Sequence, residues 1–548
     1  MQGTPIKRRL DLDRPAVRHA TAAGLGLLAL LLRLFHLDTQ PLWFDEALTA
    51  HIAHAPDGLD FVHNTPPLYF EIVRHWGAWF GYGEAGLRCP SALAGALFVW
   101  ATLHCAREVF GNRTALAAAL LALLAPLHLY YSQEARAYAL MLFEVMVAYW
   151  MVWRLARGSG SGTWLVLVLA STAALYTHYL SAIPLAIGFV VIALPRPDEG
   201  RRLGVAAIAS AGGVACLALL PWLVWWSRNT AFDPSDMQWL ELLWKQASVV
   251  GLLSTSIEMF LLGGQAGHAP ITLKQMTWLP FPEPLRVVGL AAMAALLGHV
   301  VVSWRRASRP MRVATMQCLV LLLVPLFGLC IVSMVRPVYC AARYDLIAWP
   351  AFVLLMGRAI ASATTVPNRW GRGAAWVVVA ALASVIVAKD QRYFAAPPGP
   401  DLSGRVASFL TANVAVGETV VLCGPVGLPV LVRWYGDGFV WSDRKCRQPA
   451  TGREFGCRLL PSSLETAPAA ETRYLRAVAD GSLVSDLAEM VRSGAPGFWL
   501  VLGDDMRAGS DAALERAGRA LFSVLLDAGY TIAGGDPSLG IAHLVRKR

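Results

Sequence analysis

The stretch "GLGLLALLLRLFHL" (residues 24–37) is followed, after only Asp38, Thr39 and Gln40, by "PLWFDEALTA" (41–50). The first is apolar for most of a bilayer's depth. The second sets two carboxylates, Asp45 and Glu46, directly behind a Trp and a Phe. A hydrocarbon core of about 30 Å takes roughly 20 apolar residues in helical form. The acidic pair therefore stands just where the chain has left a membrane. Runs of similar length recur along the chain, which has 548 residues, 56% of them hydrophobic and only 15% charged. Mean hydropathy is +0.49, whereas a soluble globular chain carries about 25% charged residues. The fold class expected is a polytopic α-helical membrane protein.

About eleven spans are expected, near 20–37, 91–106, 114–131, 138–154, 163–179, 180–194, 203–224, 285–303, 313–335, 344–361 and 374–390. The fifth and sixth are short, with Tyr176-Thr177-His178-Tyr179 between them, and one broken element would read the same way. Basic residues fall in alternate loops: Lys7-Arg8-Arg9 with Arg14 and Arg18, Arg107 with Arg113, Arg154 with Arg157, and Arg196 with Arg201-Arg202. They recur at Arg305-Arg306 with Arg309 and Arg312, and at Arg369 with Arg372. Such alternation is what a cytoplasmic N-terminus produces, so the net charge of +10 reflects topology and not a nucleic-acid partner. The basic N-terminus lacks a small-residue cleavage site after its apolar run and is expected to be a retained first span.

Three stretches fall on the opposite side. Residues 38–90 hold the acidic pair and "NTPPLYFEIVRHWGAWFG" (64–81), with Leu68, Ile72, Trp76, Trp79 and Phe80 at the spacing of an interfacial helix. Residues 226–284 carry "MQWLELLWKQ" (237–246). After the linker "AAPPGP" (395–400), residues 396–548 alternate strand-length runs, such as "TVVLC" (419–423) and "IAHLV" (541–545), with helical stretches. That alternation predicts a C-terminal extracytoplasmic α/β domain behind a transmembrane domain of residues 1–395. Gly424-Pro425-Val426-Gly427 lacks the Lys-Ser/Thr of a phosphate loop. Of nine cysteines, Cys446 and Cys457 lie where a disulfide between them can form.

Polar residues gather at the same ends of spans: Asp45 and Glu46 after the first, Glu134 and Arg136 in "YYSQEARAYAL" (130–140), His178 and Tyr179 after the fifth. Arg336, Arg343 and Tyr344 come from "RPVYCAARY" (336–344), after the ninth. Arginine binds phosphate bidentately, and a carboxylate can take a proton from an attacking hydroxyl. Each group also has a plainer reading. An acidic pair can simply be solvated, an arginine can neutralise a carboxylate or snorkel to headgroups, and a histidine at a span end can be packed. His51 and His54 share a helix face near Asp45, but the tetrad of a structural zinc is not evident.

Taken in order, Asp-Glu after the first span, Pro-Pro-Leu-Tyr, Tyr-Ser-Gln-Glu-Ala-Arg-x-Tyr, Thr-His-Tyr and a late Arg-Tyr resemble the GT-C glycosyltransferases. The type resembled is the dolichyl-phosphate-mannose protein mannosyltransferases (glycosyltransferase family 39), whose bacterial relatives include lipid A aminoarabinose and galacturonic acid transferases. The resemblance covers about residues 20–395 plus the C-terminal domain. It implies an enzyme of the bacterial inner membrane that moves one sugar, with inversion, from a polyprenyl-phosphate donor to an extracytoplasmic lipid, glycan or protein acceptor. Asp45 would be the base and Glu46 its orienter or a second acceptor contact. Arg136, Arg343 and Tyr344 would hold the carrier phosphate, with His178 and Tyr179 lining the carrier pocket. No cofactor or metal is required in principle, because a neutralised phosphate is already a good leaving group. Relatives often place His or Lys before the first proline of the Pro-Pro pair. Here it is Thr65, and His63 is the candidate substitute. The rival expectations are a flippase of lipid-linked sugars, which calls for ionisable groups near the midplane of repeated halves, and a non-catalytic envelope subunit. No internal repeat is visible.

Overall fold

The computed structural model describes residues 14–54, 65–193, 201–229, 240–241, 244–245, 248–263, 282–395, 402–415, 418–423, 441–442, 445–447, 454–460, 482–492, 497–502 and 512–546. By its internal contacts the chain divides into two compact units. One comprises Met1–His36, Ser91–Trp225 and Leu240–Ala396; the other comprises Leu37–Pro90, Trp226–Trp239 and Pro397–Arg548.

The helices run in chain order as α1 (Pro15–Leu34), α2 (Phe44–His54), α3 (Leu68–Phe80), α4 (Glu84–Phe110), α5 (Asn112–Leu124), α6 (Pro126–Ser132), α7 (Tyr138–Leu155) and α8 (Ser161–Thr177). They continue as α9 (Ala182–Ala193), α10 (Arg201–Asn229), α11 (Val249–Leu262), α12 (Glu283–Ser303), α13 (Arg309–Ser333), α14 (Trp349–Ala363) and α15 (Arg369–Ala395). Among the described residues eight helices are long and apolar enough to cross a membrane, or nine if α5 and α6 form one bent span. The fifth and sixth expected spans fall on the shorter apolar helices α8 and α9, which are separated at His178. Most of the helices extend beyond the expected spans, as Glu84–Phe110 does beyond 91–106 and Arg369–Ala395 beyond 374–390. The first begins at Pro15, whose fixed φ suits the first turn of a helix, and ends at Leu34 where Phe35 turns extended.

In the first unit α7 and α14 are buried along most of their length, as is most of α4. By contrast α1, α10, α12 and α15 expose most of theirs, including Leu27, Leu28 and Leu31 on α1 and Trp376 and Val377 on α15. In a bilayer those apolar faces meet lipid. Helices α5 and α14 approach closely through small residues: a Cβ on Gly357 would lie 2.5 Å from the Ala118 Cβ and 2.7 Å from its backbone nitrogen. Close backbone approach at small residues drives helix packing in lipid. Gly357→Ala should therefore part the two helices and destabilise the fold by about 1–3 kcal/mol, seen as a lower melting temperature in detergent.

The expected third span is not straight. Its two halves, α5 and α6, bend by 59° at Ala125, because Pro126 has no N–H to continue the hydrogen-bond ladder. Gly263, in the left-handed conformation at φ 63°, ends α11 against this break, and any Cβ there would press on Pro126 and the Leu127 nitrogen.

In the second unit, α3 buries Tyr69, Phe70, Val73 and Gly77 while Trp79 and Phe80 stay exposed. The apolar residues picked out by spacing thus lie on the open face, as suits a helix lying at a membrane surface. Its C-terminal portion contains α16 (Leu402–Asn413), α17 (Ser482–Arg492) and α18 (Ala512–Asp527) with a mixed seven-stranded sheet. The strands are β1 (Thr419–Cys423), β2 (Trp441–Ser442), β3 (Lys445–Arg447), β4 (Glu454–Leu460), β5 (Gly497–Leu502), β6 (Tyr530–Asp536) and β7 (Ile541–Arg546), ordered β2-β3-β4-β1-β5-β7-β6. Parallel pairing of β1 with β4 and β5 explains why "TVVLC" reads as an unbroken apolar run, since a strand buried on both faces has no polar side to show. The Cys446–Cys457 pairing concerns side chains outside the described residues.

Candidate functional site

Asp45 and Glu46 occupy the first turn of α2, where the helix dipole favours negative charge. Their surroundings differ. Asp45 is half-buried, whereas Glu46 is 1% exposed. Arg88 of α4 grips Glu46 with both arms of its guanidinium, Nε to Oε1 at 2.7 Å and Nη2 to Oε2 at 2.6 Å. The same guanidinium donates to the carbonyls of Leu37 and Gln40, both at 2.9 Å, and of Pro41 at 3.3 Å. Glu46 thereby fastens the start of α2 to the chain that enters it, which fixes where Asp45 stands. Arg74 of α3 does the same for the far end of α2, donating to the carbonyls of Ala53 and Ile52 at 3.0 and 3.3 Å. These last carbonyls have no intrahelical donor. Arg88 and Arg74 carry no signal in the sequence, because their partners are 42 and about 21 residues away. His63 and the side chain of His54 lie outside the described residues; Thr65 is buried.

The first unit holds the remaining expected residues, and it brings most of them together. His178 breaks the helical path between α8 and the single turn Tyr179–Ser181, with its Nδ1 accepting the Leu180 N–H at 3.2 Å. Its ring lies 5.5 Å from that of Tyr138 and 6.4 Å from that of Tyr344. Arg343 donates from Nε to the Tyr138 hydroxyl at 2.8 Å and sits 6.0 Å above the same ring. The charges of Arg136 and Arg343 both act on His178. Two guanidiniums, an imidazole and two phenols thus share one region. The Tyr179 hydroxyl accepts from the Trp222 indole at 2.9 Å.

Both arginines are placed by α6 and its surroundings. Arg136 follows α6 in a tight turn, its N–H donating to the Glu134 carbonyl at 2.7 Å, and its own carbonyl accepts from the Ser91 hydroxyl at 3.1 Å. Arg343 follows Ala342, a non-glycine residue held at φ 60°, and the Tyr131 hydroxyl of α6 donates to the Ala342 carbonyl at 2.6 Å. Glu134 is buried and accepts from the Tyr130 hydroxyl at 2.9 Å. Tyr131 and Tyr138 were legible only as part of "YYSQEARAY"; nothing in the spacing assigns one to the Ala342 carbonyl and the other to Arg343.

Residues 64–225 match the sequence model of the dolichyl-phosphate-mannose-protein mannosyltransferase family. The fold is similar to that of ArnT from Cupriavidus metallidurans in the apo state, with 14% identity, 96% of this chain and 98% of that chain covered, and a TM-score of 0.60.

The chain has the fold of the GT-C glycosyltransferases.

ArnT from the same organism bound to undecaprenyl phosphate is equally similar to this chain, at 14% identity, with 97% and 98% covered and a TM-score of 0.60. An archaeal oligosaccharyltransferase, AglB from Archaeoglobus fulgidus in complex with an inhibitory peptide and a dolichol-phosphate, is similar at 11% identity, covering 96% of this chain and 74% of that one with a TM-score of 0.52. No curated protein matches the chain in sequence. The expected GT-C architecture, multi-pass in the membrane with a small C-terminal sheet domain, is thereby the observed one.

Proposed function

We propose that this protein is a glycosyltransferase that takes a single sugar from a polyprenyl-phosphate carrier and passes it to a hydroxyl of a lipid, glycan or protein acceptor on the extracytoplasmic side of a bacterial inner membrane. In the reaction the acceptor's proton passes to Asp45 and its freed electron pair attacks the anomeric carbon. The bond from that carbon to the phosphate oxygen breaks, and polyprenyl phosphate leaves with the electron pair, so the configuration inverts. Glu46 orients Asp45 through Arg88. Arg136 and Arg343 hold the phosphate and neutralise the charge that grows on its leaving oxygen, where fixed cations act most strongly in a water-poor site. Tyr138 and His178 form the floor beneath them, with Tyr344 beside the ring of His178.

The observation that carries this reading is that Arg343 bonds Tyr138, whose ring meets that of His178, while the charge of Arg136 acts on the same imidazole. Two like charges beside one imidazole suit an anion, and the bidentate fork of arginine suits a phosphate. The carriers in the similar structures, undecaprenyl phosphate with ArnT and a dolichol-phosphate with AglB, are of that chemistry. Arg343→Ala should weaken the binding of undecaprenyl phosphate to the purified protein by about tenfold or more, the worth of one charge-assisted hydrogen bond of about 1.5–3 kcal/mol.

The decisive experiment is mass spectrometry of polyprenyl-phosphate sugars and envelope glycans in a deletion strain complemented with wild type or Asp45→Asn. The expected result is one sugar missing from the glycans, with its carrier accumulated, in both the deletion and the Asp45→Asn strain. Full restoration of every glycan by Asp45→Asn would remove Asp45 from the role of base.

A further inference from the structure

A fully buried arginine inside the first unit has no part in the chemistry above. Arg33, near the end of α1, has no solvent exposure, and a cation within a span marks a functional constraint by default. All of its nitrogens are engaged. Nη2 donates to the Ala122 carbonyl at 3.0 Å and to His128 Nδ1 at 2.8 Å. Nη1 donates to the carbonyls of Ala29 and Leu123 at 3.2 and 3.5 Å, and Nε donates to the Ser132 hydroxyl at 3.2 Å.

The choice of partners has a backbone cause. In an α-helix the carbonyl of residue i accepts from the N–H of residue i+4. For Ala122 that residue is Pro126, which has no N–H, and the bend at Ala125 breaks the pattern for Leu123 as well. Arg33 supplies donors to both orphaned carbonyls. With the same guanidinium it reaches His128 and Ser132, at the start and end of α6. His128 stacks on Trp349 at 4.8 Å between ring centroids and meets Phe98 at 4.6 Å, the three rings forming one cluster because Phe98 and Trp349 are themselves 5.1 Å apart. The return contact comes from Gln133, which donates to the Arg33 and Phe35 carbonyls at 3.0 and 2.7 Å. Helix α4 passes so close that a Cβ on Gly95 would collide with the Ser132 hydroxyl beside Arg33.

We infer that Arg33 is a positioning residue for the carrier-phosphate site: it splints the broken α5–α6 span and so holds α6, which in turn places both arginines. Arg136 leaves directly from the end of α6, and Arg343 follows the Ala342 carbonyl that Tyr131 of α6 holds. The inference rests on the carrier reading of Arg136 and Arg343. It assigns Arg33 no contact with substrate.

The test titrates undecaprenyl phosphate into the purified full chain in phosphatidylcholine nanodiscs, with undecaprenol as the control that lacks the phosphate. Arg33→Gln is measured alone and in an Arg136→Ala/Arg343→Ala background. Contacts acting through shared partners are non-additive. The expected result is a loss of phosphate-dependent affinity of about tenfold for Arg33→Gln alone and less than about twofold in the double-alanine background. Equal losses in both backgrounds, or none in either, overturn the inference while leaving the carrier site standing. If Arg136→Ala/Arg343→Ala itself leaves the affinity unchanged, the carrier reading fails and this inference fails with it. Should Arg33→Gln not insert, Arg33→Lys is measured the same way. It keeps the charge but offers three donors to five acceptors, so the same background-dependent loss is expected, and its absence overturns the inference.

Discussion

Asp45→Asn is expected to lower the rate of sugar transfer by about 10²–10⁴-fold, the usual worth of a general base, while leaving the affinity for undecaprenyl phosphate unchanged. The substitution is nearly isosteric and keeps the half-buried side chain of Asp45 able to accept a hydrogen bond, so the start of α2 should hold. What it removes is the capacity to take a proton. The measurement is single-turnover transfer from a polyprenyl-phosphate sugar in proteoliposomes, set beside carrier binding to the same preparation. A loss of binding in step with the rate would make Asp45 a structural or carrier contact. A rate within a few-fold of wild type would take it out of the mechanism.

Arg88→Met is expected to be the most destabilising single substitution near the site, at about 3–5 kcal/mol, because it leaves the Glu46 carboxylate buried without its counter-ion. Three carbonyls, those of Leu37, Gln40 and Pro41, lose their donor at the same time. Replacing both partners, as Glu46→Leu with Arg88→Met, should recover much of that stability, since apolar residues of similar volume often replace a buried ion pair without loss. Thermal unfolding in detergent reads the first effect. The transfer rate of the stabilised double variant reads the second and separates the two roles open to Glu46. If the pair orients Asp45, the double variant folds but transfers slowly. If its rate matches wild type, the ion pair contributes only to stability.

The parts of the fold readable along the chain are those encoded by adjacent residues. A run of about 20 apolar residues has only a few ways to satisfy its backbone in lipid, and the helix is the chief one. The spans therefore appeared where the hydropathy placed them. The strands "TVVLC" and "IAHLV" followed for a similar reason, being bounded apolar runs too short to make helices. The short motifs around Asp45, Arg136, His178 and Arg343 marked the span ends proposed to carry the chemistry, and an ordered set of such motifs was enough to point to the GT-C fold.

What stayed hidden depends on pairs that are distant in sequence. Nothing near Glu46 announces Arg88, and nothing near Pro126 announces that Arg33, some 90 residues earlier, supplies the donors that the proline removes. The bend at Ala125 went unforeseen because hydropathy reports how apolar a segment is and not whether its hydrogen-bond ladder is continuous. The meeting of Arg343, Tyr138, His178 and Tyr344 likewise arises from where separate helix ends and a loop come together. The sequence by itself determined the membrane class, where the spans end and the residue types available there. The tertiary structure decided which carboxylate is locked in an ion pair and which arginines face the same ring, because burial and charge pairing are properties of packed neighbours and not of chain neighbours.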